Sequence, residues 1–353
     1  MKRSQQGVAI LTVLLMVALA TITVVSMSSR QRLDIRRAAN QQSLQQSRAL
    51  ALGGEKFAAA TLMRDKLDPL TGKTDSLDDD WAQSLPPLPV DQSTIKGCVF
   101  DLQGRFNLNN LLTGEGRIDQ DQFAQLQRLL TVLNIDPAKA AAIADWMDSD
   151  LEPLGEDGAE DQHYSALEPP YRPANRKLVS ISELKMVKGF SPADEDEKAD
   201  YDLLLPHVTA LPERTRINVN TATPAVIASI GEMFQDKADE VSRWTDETWE
   251  NYPECEDIFD LAALANKVQE DAVESAAEDK EPFASENEFF TAAGVSGNQD
   301  ILQALGDKLS VQSDYFQIRV DVATGEVLLT QFSLVRRDNN GANKIIQRSR
   351  SVF

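Results

Sequence analysis

The densest group of side chains that could do chemistry is a run of acids between Asp145 and Asp161. The segment reads DWMDSDLEPLGEDGAED and holds eight acids and no base in 17 residues. Its alternating carboxylates, as in Asp148-Ser-Asp150-Leu-Glu152, are the hard oxygen ligands that calcium takes, about six to eight of them at about 2.3–2.6 Å. The run therefore predicts a calcium loop, and the competing interpretation is an acidic loop that is merely solvated.

This segment is not an EF-hand. Counted from Asp148, the sixth position is Pro153 instead of Gly, and the twelfth is Ala159 instead of Glu. Gly155 and Gly158 can still fold the chain back, so that the acids at its two ends meet. Large apolar side chains in and beside the run favour a folded loop over a solvated one; these are Trp146, Leu151, Leu154 and Tyr164.

Other candidate sites are weaker. Cys98, Cys255, His163 and His207 show no paired ligand spacing, so a zinc site is set aside. The two cysteines form either one disulfide or two buried thiols. The acids of 194–197 are not expected to hold an ion. Because no Gly-x-Ser-x-Gly, P-loop or His-Glu-x-x-His motif occurs, and no pair of carboxylates is singled out, the chain is not expected to be an enzyme.

Composition sets the frame for these sites. The chain has 353 residues, which suggests roughly two domains, and 42% hydrophobic against 26% charged residues is an ordinary globular mixture. The net charge of −21 repels nucleic-acid phosphates and suits cations or basic partners.

The N-terminus carries an apolar run of 20 uncharged residues, Val8 to Met27. As a helix it covers about 30 Å, the thickness of a bilayer core. Lys2 and Arg3 before it predict a cytoplasmic N-terminus, with the rest of the chain outside. A cleavable signal peptide would have a shorter apolar core and a cleavage site after it. Helix-forming residues continue to Leu67, so one long helix is predicted, ended by Asp68-Pro69.

The remaining chain predicts a small sheet interrupted by a large helical insertion. A surface loop is expected over 68–91, a strand over 95–106, and three further strands near the C-terminus with turns at Thr324-Gly325 and Asn339-Asn340-Gly341. These four strands should form one antiparallel sheet packed on the long helix. Between them, predicted helices cover 122–133, 138–147, 180–188, 224–230, 236–250, 255–265 and 286–293.

An internal repeat lies in this insertion. Arg105-Phe-Asn-Leu-Asn-Asn110 matches Arg216-Ile-Asn-Val-Asn-Thr221, and each precedes a predicted helix. An Asn-x-Asn segment supplies side-chain acceptors for the first N–H groups of a helix. The second copy looks like the opening of a helix-hairpin-helix or SAM-like unit, and Leu184 to Phe190 resembles the closing half of one. A structural use is expected, because the surroundings are acidic.

The short basic leader ending in Gly7, followed by an apolar helix from Val8 that continues outward, resembles the type IV pilin-like family. In that family a prepilin peptidase cuts after the Gly and methylates the new N-terminus. Most members carry Glu at the fifth residue after the cut, where this chain has Thr12. A subunit without that Glu could sit first in the fibre. With the long chain and the tandem SAM-like units, this departure is similar to the protein K family, minor pseudopilins of type II secretion.

The resemblance implies an α+β, pilin-like fold with a long N-terminal helix, a small antiparallel sheet and a large helical insertion of SAM-like units. The implied divisions are a leader over 1–7, the transmembrane and amphipathic helix over 8–67, a loop and first strand over 68–106, the insertion over 107–311, and the C-terminal strands over 312–353. It also implies a single-pass protein of the bacterial inner membrane, with most of the chain in the periplasm.

The same resemblance implies a calcium-binding loop and a set of partners. Asp148, Asp150, Glu160 and Asp161 are the preferred ligands, and Glu152, Glu156 and Asp157 come second. The implied partners are the minor pseudopilins I and J at the tip of the pseudopilus, together with the prepilin peptidase and the inner membrane. The alternative is a membrane-anchored periplasmic protein that binds DNA through helix-hairpin-helix units, as in competence, which the charge disfavours.

Overall fold

The computed structural model of the chain describes residues 5–83, 86–243, 281–295 and 299–350. Its first element is the predicted long helix, α1, which spans Gln5–Leu67. It contains one 18-residue window with a mean hydropathy of 2.5, long and apolar enough to cross a membrane, and none of that window is buried. The helix stops before Asp68-Pro69, as expected, because the residue before a proline is disfavoured in the helical conformation.

An antiparallel sheet packs against the second half of α1. Its strands are β1 at Leu88–Val90, β2 at Ser93–Asp101, β7 at Tyr315–Thr324, β8 at Val327–Arg337 and β9 at Asn343–Ser349, and they lie side by side in that order. The predicted early strand and three late strands are confirmed, and β1 is an additional edge strand.

Small and apolar residues of α1 at helical spacing cover the sheet. Ala51, Ala58 and Leu62 are buried in one core with Phe316 and side chains of β2, β7 and β8. Small residues let the helix lie close to the strands: a Cβ at Gly54 would meet Val320 Cγ1 at 2.9 Å. The side chains that face this core therefore recur about every 3.6 residues in the helix and every two residues in the strands.

A buried charge also fixes α1 to the sheet. Glu55, only 2% exposed, accepts two hydrogen bonds from the Arg348 guanidinium, at 2.6 and 2.8 Å, and one from Ser333 Oγ at 2.6 Å. A bidentate arginine–carboxylate pair is directional as well as strong. It therefore sets the rotation of α1 on the sheet.

The two ends of the sheet lie at opposite ends of the part of α1 that packs on it. Ser47 Oγ contacts Thr324 Oγ1 at 2.9 Å, whereas Asp65 accepts from Arg337 Nη1 at 3.3 Å, 18 residues further along α1. Arg337 Nη2 also donates to the carbonyl oxygen of Ser313 at 3.0 Å, just before β7 begins. The insertion, which leaves the sheet after Asp101 and returns at β7, is thus attached at the end far from the apolar half of α1.

The predicted surface loop after α1 is partly wrong. Asp75, Asp79 and Trp81 in this loop are buried, and Trp81 stacks edge-on against Phe316 at 5.2 Å. The loop closes the end of the helix–sheet core, which a count of Pro and Asp could not indicate.

The insertion has a larger core of its own. Its α-helices are α2 at Gln120–Val132, α3 at Lys139–Met147, α4 at Asp161–Ser165, α5 at Glu195–Leu204, α6 at Pro224–Ile230, α7 at Ala238–Val241, α8 at Glu286–Ala292 and α9 at Gln299–Gly306. Short 3-10 helices cover Leu108–Leu111, Ile181–Met186, Leu205–His207 and Glu232–Lys237. Its strands are β3 at Phe106–Asn107, β4 at Val208–Thr209, β5 at Ile217–Asn218 and β6 at Leu309–Ser310.

Two of the helix predictions need correction, and one falls outside the described residues. The segment 236–250 is not one long helix: a 3-10 helix ends at Lys237 and α7 ends at Val241. The segment 180–188 holds a 3-10 helix, although its predicted capping box between Ser180 and Glu183 is present. The helix predicted over 255–265 lies outside the described residues.

The two Asn-x-Asn segments occupy equivalent places, as the repeat predicted. β3 pairs in parallel with β4, and β5 pairs in parallel with β6. Asn107 Oδ1 accepts the Asn109 N–H at 3.1 Å, and Asn218 Oδ1 accepts the Asn220 N–H at 3.0 Å. Each short strand therefore turns at once into a side-chain-capped bend.

The second asparagine of each copy holds a distant segment in the same way. Asn109 bonds both the N–H and the carbonyl of Leu178, at 2.8 and 2.9 Å. Asn220 bonds both groups of Phe283, at 2.8 and 3.0 Å. A carboxamide is suited to this role because it both donates and accepts.

A capped helix and a glycine follow each held residue. Ser180 and Ser285 cap the two helices, and a Glu three residues after each accepts a backbone N–H just before the cap. Gly189 and Gly294 close the two copies in the left-handed region, at φ +88° and +73°. The insertion is thus built from two copies of one unit.

Candidate metal centre

Helix α3 positions the first acids of the loop. Its residues from Ala140 to Met147 are buried, and it ends where the Asp148 N–H donates to the Ala144 carbonyl at 2.9 Å. Asp145 and Asp148 are three residues apart, so both lie on one face of the last turn.

Asp145 holds the base of the loop. It is fully buried, and its carboxylate accepts the Leu154 N–H at 3.1 Å and the Ala159 N–H at 2.7 Å. Burial raises its pKa, while these two hydrogen bonds lower it. By joining the two limbs of the loop, Asp145 brings the next acids together.

Three carboxylates converge above Asp145. Ligand oxygens of Asp148, Asp150 and Glu160 all lie within 4.8 Å of one another. We call these three residues the carboxylate cluster. Asp148 is 7% and Glu160 is 3% exposed, and Asp148 Oδ1 and both Glu160 carboxylate oxygens are buried with no hydrogen-bond partner. Buried polar atoms in native proteins are nearly always bonded, so these oxygens call for a ligand.

The electrostatics of the cluster point the same way. Burial, followed by the charges of neighbouring acids, raises the pKa of Asp148 to about 7. The same causes raise the pKa of Glu160 to about 7. A bound cation would remove this penalty and favour the ionised form of both groups.

The donor set fits calcium. Carboxylate oxygens are hard ligands, and three carboxylates can supply about half of the oxygens that calcium takes, with backbone carbonyls and water supplying the others. Among the described residues the cluster contains neither His nor Cys, so it is not a typical zinc site.

The remaining acids of the run are placed outside the cluster. Asp161, a preferred ligand, begins α4 and lies 3.8 Å from Arg172 Nε. Glu152, Glu156 and Asp157 are exposed along the outer turn of the loop. Three of the four preferred residues therefore come together, whereas the second choices do not join them.

Lys188, which lies outside the predicted loop, supports it beside the predicted aromatic pair Trp146 and Tyr164. Lys188 Nζ donates to the carbonyls of Asp157 and Gly158, at 3.1 and 3.3 Å, and the Lys188 N–H donates to Tyr164 Oη at 3.2 Å. Tyr164 packs edge-on against Trp146 with ring centroids 5.2 Å apart. Lys188 belongs to the segment that closes the first repeat unit, so only the fold brings it to the loop.

A second group of buried acids joins Asp65, Asp75 and Asp79. Arg337 donates to both Asp65 and Asp75, and the Trp81 indole N–H donates to Asp79 at 3.1 Å. Burial raises the pKa of Asp79 to about 6. Because the Arg337 guanidinium already pairs with two of these acids, we interpret the group as a structural contact between α1, the following loop and β8.

The acids of 194–197, which are not expected to hold an ion, lie at the start of α5, which Asp194 caps.

Two further sequence predictions concern the cut after Gly7 and the pairing of the two cysteines. Gly7 and Val8 lie in the first turns of α1. Cys98 is buried on β2, while Cys255 lies outside the described residues. The cut after Gly7 and the pairing of the two cysteines stay predictions.

Comparisons with known proteins agree on one family. The family model described as type II secretion system protein K matches residues 104–213. A type II secretion system protein K of Pseudomonas aeruginosa is 39% identical over 249 residues, covering 68% of this chain and 72% of that protein. The protein of the same name from Aeromonas hydrophila is 34% identical over 249 residues, covering 67% and 72%.

A solved structure shares the fold. A chain in the crystal structure of the GspK–GspI–GspJ complex from the enterotoxigenic Escherichia coli type 2 secretion system matches with a TM-score of 0.67. The match covers 89% of this chain and 99% of that chain, at 24% identity. At this identity the likeness shows the fold alone, and it agrees with the mixed helix and sheet architecture predicted from sequence.

Proposed function

The chain belongs to the type II secretion system protein K family, and from that membership we propose that it is a minor pseudopilin that caps the tip of the pseudopilus. In this role it would assemble with minor pseudopilins I and J, support protein secretion across the outer membrane and limit the growth of the fibre. The role is structural, and no catalytic step is assigned to it.

The observation that carries the proposal is the position of the insertion. Along α1, about 38 residues separate Met27, at the end of the apolar run, from Asp65, near which the insertion is attached, a distance of about 57 Å in a helix. The insertion therefore stands at the end of the molecule farthest from the apolar segment. A further subunit stacked on that end would collide with the insertion. The surface of α1 toward the apolar run stays open to neighbouring subunits.

The long helix supports anchorage before assembly. Its apolar run is exposed to solvent along its length, with Ile10 62% and Met16 70% exposed. Exposed apolar surface of this extent needs a membrane or partner helices to cover it. We propose that α1 crosses the inner membrane once, with the folded domain in the periplasm, and that a prepilin peptidase removes residues 1–7.

The carboxylate cluster supports a structural calcium ion in this domain. We propose that calcium bound by Asp148, Asp150 and Glu160 closes the loop against α3. Asp161 and the exposed acids Glu152, Glu156 and Asp157 are left as outer ligands at most. The duplicated asparagine and glycine positions support the proposal that both units of the insertion are SAM-like.

The DNA-binding alternative is not favoured. The Lys188 ammonium contacts loop carbonyls, and the Asn109 and Asn220 carboxamides are used inside the two units. With a net charge of −21 in addition, the phosphate backbone would meet repulsion.

Immunogold electron microscopy of assembled pseudopili tests the cap. An antibody against the insertion should label one end of each fibre, because only the first subunit carries this domain. Label distributed along the fibre sides would contradict the proposal.

Intact mass tests processing independently. Co-expression with a prepilin peptidase should remove residues 1–7 from the wild-type chain, while a Gly7→Leu variant should keep them. Equal masses for the two chains would argue against cleavage after Gly7.

A further inference from the structure

Basic charge is concentrated on α1 immediately after its apolar run. Between Ser28 and Gly54 the chain has five arginines and one aspartate, although the whole protein has a net charge of −21. Arg30, Arg32 and Arg36 are exposed. We call these three residues and Arg37 the arginine collar.

The spacing of the collar along α1 matches the depth of a lipid headgroup layer. At about 1.5 Å per residue, Arg30 and Arg32 lie about 4.5 and 7.5 Å beyond Met27. The headgroup layer of one leaflet is about 5–8 Å thick. Arg36 and Arg37, at about 14 and 15 Å, lie within about one Debye length of its outer edge.

The collar surrounds the helix instead of forming a stripe. At about 100° per residue, Arg30 and Arg37 lie on one side of α1, and Arg32 and Arg36 lie on nearly the opposite side. Asp34 shares the first side, where it lies 3.7 Å from Arg37, with both side chains more than 70% exposed. A neighbouring helix would contact only one side, whereas lipid headgroups surround the helix on all sides.

We propose that the arginine collar binds the phosphates of anionic phospholipids in the membrane leaflet nearest the folded domain. This inference rests on the proposed membrane anchorage of α1. Arginine forms paired hydrogen bonds to phosphate, and its stem can reach back along the helix toward the headgroups. Lipid bound there would hold the apolar run at one depth until the subunit leaves the membrane.

Lipid selectivity measured by electron spin resonance tests the proposal. The full-length chain is reconstituted in phosphatidylcholine vesicles containing a trace of spin-labelled phosphatidylglycerol or spin-labelled phosphatidylcholine. The wild-type chain should immobilise the anionic lipid preferentially at about 0.1 M salt. The preference should vanish at about 1 M salt, where the Debye length falls to about 3 Å.

Two matched variants locate the effect. R32Q/R36Q removes two collar charges from the side of α1 opposite Asp34. R48Q/K56Q removes two exposed charges of α1 about 30–45 Å beyond the apolar run. Basic residues near an anionic surface contribute up to about fivefold each to lipid association, equivalent to about 1 kcal/mol. R32Q/R36Q should therefore lose at least about half of the preference, and R48Q/K56Q should keep it.

The outcomes separate the collar from the anchor. Equal preference in the two variants, or none in the wild-type chain, would overturn the collar. Carbonate extraction of the same vesicles reports the anchor by itself. A chain that stays in the membrane without lipid preference refutes the collar only, whereas release by carbonate refutes the anchorage on which it rests.

Discussion

Replacing Glu160 with Gln should raise stability without calcium and remove most of the stabilisation that calcium gives. Glu160 is 3% exposed, and one of its carboxylate oxygens lies within 4.8 Å of a carboxylate oxygen of Asp148 and of Asp150. Two unit charges at that separation repel by about 3.5 kcal/mol at an effective dielectric constant of about 20. Because Asp150 is exposed and solvent screens it, the neutral variant should gain only about 1–3 kcal/mol at pH 8.

Calcium should offset most of this difference between the two proteins. At a hundredfold excess over Kd, the ion stabilises the wild-type folded state by about 2.7 kcal/mol. Glu160→Gln removes a charged ligand and should lose most of that gain. At about 2 °C per kcal/mol, chelator should leave the variant about 2–6 °C above the wild type, and calcium should raise only the wild type, by about 5 °C.

The assay is a thermal melt of residues 32–353 with calcium, with magnesium and with chelator. Glu156→Gln is the matched control, because Glu156 lies in the same loop but is exposed and outside the cluster. It should respond to calcium as the wild type does. If Glu160→Gln melts below the wild type in chelator, or if both variants respond equally to calcium, the assignment of the cluster as the metal site is wrong.

Three further outcomes follow from the same contacts. The pKa values of two cluster acids are raised to about 7, so without calcium the free energy of unfolding should increase as pH falls from 8 to 5. With calcium bound, the calcium-dependent gain in stability should be lost over the same range, because protons compete with the ion. Denaturant titrations in which stability depends on pH equally with and without calcium would contradict this. Gly158→Ala should abolish the calcium-dependent rise in Tm, because the new Cβ would lie 2.2 Å from Asp145 Oδ2, whereas Gly114→Ala should keep it, because a Cβ there would meet nothing within 4 Å; titration calorimetry distinguishes them. Arg348→Ala should destabilise by about 1–3 kcal/mol, more than Glu55→Ala, because it leaves the buried Glu55 carboxylate without its arginine, held only by Ser333 and Gln331, while the reverse change leaves an arginine that is half exposed; urea melts that reverse this order would refute it.

The sequence predicted the elements whose signal is local. The apolar run from Val8, the helix end before Pro69 and the hairpin turn at Gly341 depend on residues within a few positions of one another. The repeat was also visible, because the same side chains must cap the same bend in both copies. Prediction was poorer at the start of the segment 236–250, because its described residues, 236–243, form the end of a 3-10 helix and a short helix that stops at Val241.

The carboxylate cluster shows the same division between local and tertiary signals. The acidic run and its two glycines marked the loop, and the preferred ligands included all three members of the cluster. Composition could not separate Asp161, which begins a helix, from Glu160, which points inward. No local pattern distinguishes Asp145 from the other acids of the run, although its carboxylate accepts backbone N–H groups of the loop instead of joining the cluster.

By itself the sequence determined the class of molecule: a membrane-length helix, an antiparallel sheet and an inserted, acidic, duplicated domain. Each of these depends on periodicity, length or composition, which neighbouring residues determine together. Only the tertiary structure decided that Lys188 supports the loop, that Arg337 pairs with the buried Asp65 of α1, and that the insertion stands at the far end of that helix. The contacts of Lys188 and Arg337 join residues that are 31 and 272 positions apart. Their geometry depends on how the packed elements meet, which no local pattern encodes.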